Sequence, residues 1–193
     1  NLGVVTGTST TYTGGVVGQT LAGTSISECY NGGSVTASKG SVGGVAGYTA
    51  GCKVNSCYNV GSVNCTAAAG NVGGIVGWFT GTVNLENSYN AGSVSGGKTI
   101  GAISGIGVDT QLVNCYYLTG TAQYASSTKN FVGTSKSADE MKAELFVKTL
   151  GAAFKADEDG INDGFPVLAW QSAKHEHSYT VVVTAPTCTE RGY

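Results

Sequence analysis

The chain carries short apolar stretches that glycine, asparagine and serine interrupt at a regular interval. Three copies of a Gly-Gly-aliphatic-aliphatic-Gly motif begin at Gly14, Gly43 and Gly73, and a degenerate copy begins at Gly101. The apolar stretches are rich in β-branched residues and too short for helices, a pattern typical of strands and turns. It predicts many short strands joined by bends.

A second motif keeps step with the first along the chain. Its four copies are Cys29-Tyr30-Asn31, Cys57-Tyr58-Asn59, Ser88-Tyr89-Asn90 and Cys115-Tyr116-Tyr117, at a mean spacing of about 29 residues. Self-similarity at this period indicates stacked units that bury their apolar faces on their neighbours. The sequence therefore predicts an all-β fold, a right-handed parallel β-solenoid of about four coils of ~29 residues, each with three short strands. The asparagines at one bend are expected to form a ladder of Asn1, Asn31, Asn59 and Asn90.

These register-matched copies resemble the GLUG repeat, a glycine-rich motif of large bacterial surface proteins that include adhesins and immunoglobulin A-type metallopeptidases. The resemblance covers residues 1–117, about 60 % of the chain. The fourth copy departs from the motif at Ala102, Ser104 and Tyr117, so we expect it to be the last coil. The resemblance implies an extracellular bacterial protein, on the cell surface or secreted, whose partners are a host surface and other domains of the same polypeptide.

A change of composition after the repeats predicts a C-terminal cap of residues 118–172. Ser137 and Glu140 form a capping box for a helix over about residues 138–150, and Gly151 is placed to end it. One face of this helix would carry Met141, Leu145, Phe146, Thr149 and Leu150. We expect the helix to cover the open end of the solenoid, followed by a final strand within residues 164–171. Residues 173–193 are expected to be a linker and the truncated start of a following module.

Charge and composition exclude several functions. Only 10 lysines and arginines are scattered over 193 residues, with a net charge of −2, which argues against a nucleic-acid partner. No apolar run is long enough for membrane insertion of this fragment. The HExxH motif is absent, and His175-Glu176-His177 lacks its spacing. The first 117 residues carry only the acids Glu28, Glu86 and Asp109, at unrelated repeat positions. We therefore expect no enzyme activity, no metal site and no cofactor.

Two features leave alternatives open. Cys29, Cys57 and Cys115 share one repeat position and are expected to be core thiols, whereas Cys52 and Cys65 lie outside it and have the option of pairing. The acidic stretch from Asp157 to Gly164 is expected to be a turn, with a calcium loop as the alternative, although it lacks the terminal glutamate of an EF-hand loop.

Aromatic residues are the candidate binding groups. Tyr48 and Trp78 each follow the last glycine of their motif, which places them on adjacent coils, and Phe79 is next to Trp78. Strand alternation lets either the cysteine or the tyrosine of each second motif face inward, but not both. Aromatic faces exposed on the outside would stack on sugar rings. The predicted ligand-binding residues are therefore Tyr48, Trp78, Phe79, Tyr30, Tyr58, Tyr89 and Tyr116.

The predicted function is adhesion through carbohydrate binding, with an extracellular glycan as the partner. If the rings only pack on one another, the chain would instead be a structural stalk or spacer with no ligand. A third hypothesis is that the chain is an accessory domain of a larger surface peptidase or glycosidase.

Overall fold

The structure is a computed structural model, and it describes residues 1–8, 11–81, 83–107, 110–122 and 133–172. Short strands wind through four successive coils. The strands of the first coil are β1 (Val5–Gly7), β2 (Tyr12–Gly14), β3 (Val17–Thr20), β4 (Ser25–Ser27) and β5 (Tyr30–Asn31). The strands of the second coil are β6 (Val35–Ala37), β7 (Ser41–Gly43), β8 (Ala46–Ala50), β9 (Lys53–Asn55) and β10 (Tyr58–Asn59).

The last two coils have four strands each, because their final segment runs without a break. The third coil comprises β11 (Val63–Cys65), β12 (Asn71–Gly73), β13 (Val76–Thr80) and β14 (Val83–Asn90). The fourth coil comprises β15 (Val94–Gly96), β16 (Thr99–Gly101), β17 (Ser104–Ile106) and β18 (Thr110–Leu118). The cap contributes β19 (Thr134–Lys136), α1 (Ala138–Lys142), α2 (Glu144–Leu150), β20 (Phe154–Lys155) and β21 (Val167–Leu168).

Equivalent strands of successive coils pair in parallel and form four long faces. Face 1 stacks β1, β6, β11 and β15; face 2 stacks β2, β7, β12 and β16; face 3 stacks β3, β8, β13 and β17. Face 4 holds the remaining solenoid strands and ends on β19. The predicted parallel β-solenoid of about four coils is confirmed. The coil has four faces rather than the three strands expected, because the glycine motif spans the corner between face 2 and face 3.

The predicted asparagine ladder runs through the interior. The Asn31 side-chain Nδ2 donates to Asn59 Oδ1 at 2.8 Å, and Asn59 Nδ2 donates to Asn90 Oδ1 at 2.8 Å. Asn1 joins the ladder through Asn31 Oδ1 at 2.9 Å. The second glycine of each motif faces this ladder, and a Cβ built on Gly44 would overlap the Asn59 side chain. The paired glycines thus make room for a buried column of amides.

A bend recurs before each second motif. Glu28, Ser56, Asn87 and Asn114 all have positive φ, between 48° and 52°. This left-handed conformation is rare for residues other than glycine and asparagine. It turns face 4 so that the cysteine position points into the core and the following tyrosine points away from it.

Two apolar clusters fill the solenoid. One lies under faces 3 and 4 and includes Val45, Ile75, Phe79 and Leu85, while the other lies under face 1 and includes Val35. Coil stacking leaves these side chains with almost no exposed surface. The core is therefore continuous along the stack, as expected of a solenoid.

The helices of the cap cover the tyrosines on the outside of face 4, while β19 pairs with the last coil. Met141, Phe146, Leu150 and Leu168 form one apolar cluster with the tyrosines of that face. The expected position of the helix over the open end was wrong, because its apolar side chains are buried against these tyrosines instead.

The helix of the cap is shorter than its sequence pattern predicts. Ala143 has ψ of 146°, which interrupts the expected helix and leaves α1 and α2. The capping box of Ser137 and Glu140 is present, and Gly151 ends α2 with φ of 93°. Because the break resets the helical phase, Leu145 and Thr149 are exposed instead of facing the core. The predicted final strand is β21, which pairs with β20.

The five cysteines in the described part of the chain are free thiols. Cys57 and Cys115 point into the core as predicted, Ser88 fills the gap, and Cys29 is half-buried on the first coil. A hydrogen bond with Cys57 lowers the pKa of the Cys29 thiol to about 6, and the same bond raises the pKa of Cys57.

Cys52 and Cys65 do not pair, since each is a buried free thiol in a different core cluster. Cys188 lies outside the described residues.

Candidate functional site

Three aromatic rings form a cluster on the outer wall where face 2 meets face 3, here called the outer cluster: Tyr12, Tyr48 and Trp78. The Tyr12 and Tyr48 ring centroids lie 4.6 Å apart with the planes at 22°, and Trp78 meets Tyr48 edge-on at 5.2 Å. All three side chains are half-buried, so each ring keeps a solvent-facing surface.

Coil stacking positions the outer cluster. Tyr48 pairs directly with Trp78 between β8 and β13, so the predicted placement on adjacent coils is correct. Gln19 and Ile106 flank them on the neighbouring strands. The Tyr48 hydroxyl is 2.6 Å from Thr80 Oγ1, which fixes the ring on the strand.

Tyr12 was missed by the sequence reasoning. It lies on face 2, where the register partners Ser41 and Asn71 carry no ring, so it belongs to no repeated aromatic position. The sequence feature that could have identified it is its position two residues before Gly14, which places its side chain on the outer side of the corner. It enlarges the predicted pair into a three-ring surface.

Phe79 must be removed from the predicted binding residues. Its side chain is fully buried in the core under faces 3 and 4. The reason is the alternation of strand side chains: because Trp78 faces solvent, its neighbour on the same strand faces the interior.

The tyrosine column of Tyr30, Tyr58, Tyr89 and Tyr116 points away from the core, but most of it lies under the cap. Successive rings stack, with Tyr58 5.0 Å from Tyr30 and 5.1 Å from Tyr89. The buried Tyr58 and Tyr89 rings contact only protein, so the expectation that they stack on a sugar is wrong. Tyr116 is half-buried and meets Phe146 edge-on at 5.1 Å.

The two buried tyrosines anchor the cap through their hydroxyls. Tyr58 donates to Gln171 Oε1 at 2.9 Å. Tyr89 donates to the Pro166 carbonyl and accepts from Asn162 Nδ2. Burial raises the pKa of both phenols above the ordinary value of 10.0. They therefore serve as structural groups beneath the cap.

Tyr30, at the first-coil end of the column, is half-buried and lines a cleft between the cap and the solenoid. The cleft, here called the cap cleft, has a volume of about 900 Å³. Trp170 stands on its other side, 58 % exposed, with its ring 6.0 Å from that of Tyr30. Tyr30 is thus a member of the column that remains available to a ligand in this cleft.

Among the residues that the structure describes, no three histidine, cysteine or acidic side chains gather into one site. Glu86 pairs with Lys53 at 3.2 Å on the outside of face 4, Glu28 is exposed at a bend, and Asp109 lies outside the described residues. The Asp157 carboxylate accepts hydrogen bonds from the backbone N–H groups of Ile161, Asn162 and Gly164. These bonds hold the acidic stretch as a turn and occupy both carboxylate oxygens, which disfavours the calcium alternative.

Within the described ranges, no three histidine, cysteine or acidic side chains come together as metal ligands. No helix of the same ranges has the length and hydrophobicity to span a membrane. His175 and His177 fall within residues 173–193, outside the described part of the chain.

Comparison with known proteins shows likeness at the level of the fold. No protein-family model and no curated protein matches this chain, so the GLUG resemblance stays a prediction. A crystal structure from Bacteroides ovatus, of a protein provisionally named as an immunoglobulin A1 protease, aligns with a TM-score of 0.63 at 24 % identity. The alignment covers 88 % of this chain and 56 % of that one, so this chain spans little more than half the length of its neighbour.

Proposed function

We propose that this chain is a non-catalytic, carbohydrate-binding module of a bacterial protein that is secreted or displayed on the cell surface. The observation that carries the proposal is the outer cluster, three aromatic rings held together on a rigid wall and partly open to solvent. Stacked coils fix the rings before any ligand arrives, so little conformational entropy is lost on binding.

The chemistry of the outer cluster suits an extracellular glycan. The apolar CH face of a sugar ring packs on an aromatic face, and tyrosine hydroxyls supply hydrogen bonds at its edge. Tyr12 and Tyr48 stack on each other, so the surfaces that they offer a sugar chain are those that the other ring leaves uncovered. The partner under this proposal is an extracellular glycan on a host surface.

An accessory role in a larger protein is the second candidate. The observation in its favour is the provisional name of the Bacteroides ovatus neighbour, an immunoglobulin A1 protease that is longer than this chain. In this version the module positions a peptidase or glycosidase domain of the same polypeptide. A spacer without any ligand is the remaining alternative, and in it the three rings serve only to pack against one another.

A glycan array probed with the purified chain tests the proposal. We expect binding that Trp78→Ala and Tyr48→Ala each weaken by about tenfold or more, and that Tyr12→Ala also weakens. Leu145→Ala is the matched control, because it removes a side chain that is exposed on α2 and far from the cluster. Absence of binding to every glycan would favour the spacer, and binding that survives all three aromatic substitutions would move the site elsewhere.

A further inference from the structure

The cap cleft has the composition of a second binding site. Tyr30 and Val60 of the solenoid form one wall, and Phe165 and Trp170 of the cap form the other. The Trp170 ring is the largest exposed apolar surface among these residues. The cleft thus offers an aromatic wall to solvent at a place separate from the outer cluster.

Gln171 supplies a fixed hydrogen-bond donor to this cleft. Its side chain is only 7 % exposed, and its Oε1 accepts from the Tyr58 hydroxyl at 2.9 Å and from the Leu168 amide at 2.8 Å. These two bonds fix the orientation of the amide. Within the described part of the chain, its Nε2 donates to no acceptor, and it is not sealed from solvent.

Asn162 supplies the complementary acceptor. It is 8 % exposed, and its Nδ2 donates to the Tyr89 hydroxyl at 2.9 Å and to the carbonyls of Phe165 and Pro166, both at 3.2 Å. Because three acceptors hold the nitrogen, the Oδ1 orientation is fixed as well. No described residue donates to Oδ1. Neither Gln171 Nε2 nor Asn162 Oδ1 is a sealed polar atom, so both are open to solvent and free to bond to a ligand in the cleft.

The charge of the cleft narrows the class of ligand. Asp163 is the charged residue of its lining, and no lysine or arginine of the described ranges lines it. The lining therefore gives an anionic ligand no counter-charge, and a neutral ligand needs none. A saccharide fits, because its hydroxyls both donate and accept, while the CH face of its ring packs on an aromatic wall.

We infer that the cap cleft binds a neutral saccharide whose ring packs on Trp170, with hydroxyls that accept from Gln171 Nε2 and donate to Asn162 Oδ1. This inference deepens the proposed function and rests on it for the ligand class. The two sites share no residue, so each fails or succeeds by itself. Two sites on one rigid module would also raise avidity for a multivalent glycan.

The two tryptophans of the chain, Trp78 and Trp170, allow each site to be monitored separately. In the full chain, Trp78→Phe leaves Trp170 as a fluorescent reporter of the cap cleft, and Trp170→Phe leaves Trp78 as a reporter of the outer cluster. Phenylalanine keeps an aromatic face at the substituted position. Each variant is titrated with maltotriose, chitotriose and N-acetyllactosamine, and with the anionic sialyllactose and an acetylated trialanine amide.

The expected result is a saturable change in Trp170 emission with at least one neutral saccharide. Gln171→Glu in the Trp78→Phe background should raise the dissociation constant of that saccharide about tenfold or more. The reason is that the carboxylate still accepts from Tyr58 and Leu168 but cannot donate. Asn64→Asp is the matched amide-to-carboxylate control, on the outside of face 1. Asn64→Asp should change the dissociation constant by less than about twofold.

The outcomes separate the two proposals. No Trp170 response alongside a Trp78 response would overturn the cap cleft and leave the outer cluster. A Trp170 response without a Trp78 response would support the cap cleft and remove the outer cluster. An affinity unchanged by Gln171→Glu, or a response to the peptide alone, would overturn the inference.

Discussion

At the scale of single residues, the buried asparagine ladder is the most constrained feature of the solenoid. Asn59 donates to Asn90 Oδ1 and to the Gly61 carbonyl, and it accepts from Asn31. Burying an amide away from water costs free energy unless its hydrogen bonds are made within the protein. One asparagine per coil therefore fixes the register of each coil against the next.

Replacing Asn59 with alanine should lower the free energy of unfolding by about 3 kcal/mol or more, because buried groups on Asn31, Asn90 and Gly61 lose their partner together. Urea unfolding followed by circular dichroism measures the change. The control is Asn64→Ala, at a half-buried position on the outside of face 1 where the amide accepts one bond from Ser95, and it should change stability by less than about 0.5 kcal/mol. Equal effects of the two substitutions would show that the ladder does not fix the coils.

The buried phenols give the protein a specific alkaline sensitivity. Burial raises the pKa of Tyr58 and Tyr89 above 10.0, so the folded state favours their protonated form. Stability from this difference is fully present below the unfolded pKa of about 10 and is lost as the pH rises above it, by up to about 1.4 kcal/mol per pH unit for each tyrosine.

Tyr58→Phe should therefore have lower stability than wild type at neutral pH, since it loses the bond to Gln171, and a shallower loss of stability above pH 10. Chemical unfolding at a series of pH values measures both. The buried thiols of Cys57 and Cys115 titrate in both proteins and cancel in the comparison. Parallel curves for the two proteins would contradict the assignment of the alkaline loss to Tyr58.

At the scale of elements, the features that repeat could be predicted from the sequence, and the features that occur once could not. The pairing of Tyr48 with Trp78 and of Asn31 with Asn59 follows from a shared period, because parallel strands place equivalent residues next to each other. Tyr12 has no equivalent ring in the other coils, so the period gives no reason to place it beside Tyr48.

The position of the cap could not be predicted for a related reason. Helical periodicity identifies an apolar face at Met141 and Phe146, but it does not identify the surface that this face buries. Strand alternation left open whether the cysteines or the tyrosines face inward. The structure places the tyrosines outside, where α2 packs over them, so an outward position on a strand does not ensure exposure. The break at Ala143 could not be predicted either, because alanine has the highest helix propensity of all residues.

At the scale of the whole molecule, the cap joins the coils into one unit. Tyr58 in the second coil and Tyr89 in the third donate to the cap, and Tyr116 in the fourth packs on Phe146. In a solenoid whose coils contact only their neighbours, stability is approximately a sum of coil and interface contributions, which gives distant coils no direct coupling. A brace across three coils adds contacts that are lost together and so favours a single transition.

The single-tryptophan variants test this coupling. Trp78 reports on the solenoid wall and Trp170 on the cap, so within each of Trp170→Phe and Trp78→Phe the urea midpoint by fluorescence should coincide with the midpoint by circular dichroism. Phe146→Ala removes the ring that packs on Tyr89 and Tyr116, so it should lower the free energy of unfolding by about 3 kcal/mol. The midpoints by fluorescence and by circular dichroism should fall together. If, in Trp78→Phe, the Trp170 signal instead changed at lower urea than circular dichroism, the cap would be a separately unfolding appendage. In that case a saccharide that saturates the cap cleft should shift the Trp170 transition to higher urea and leave the circular dichroism transition unchanged.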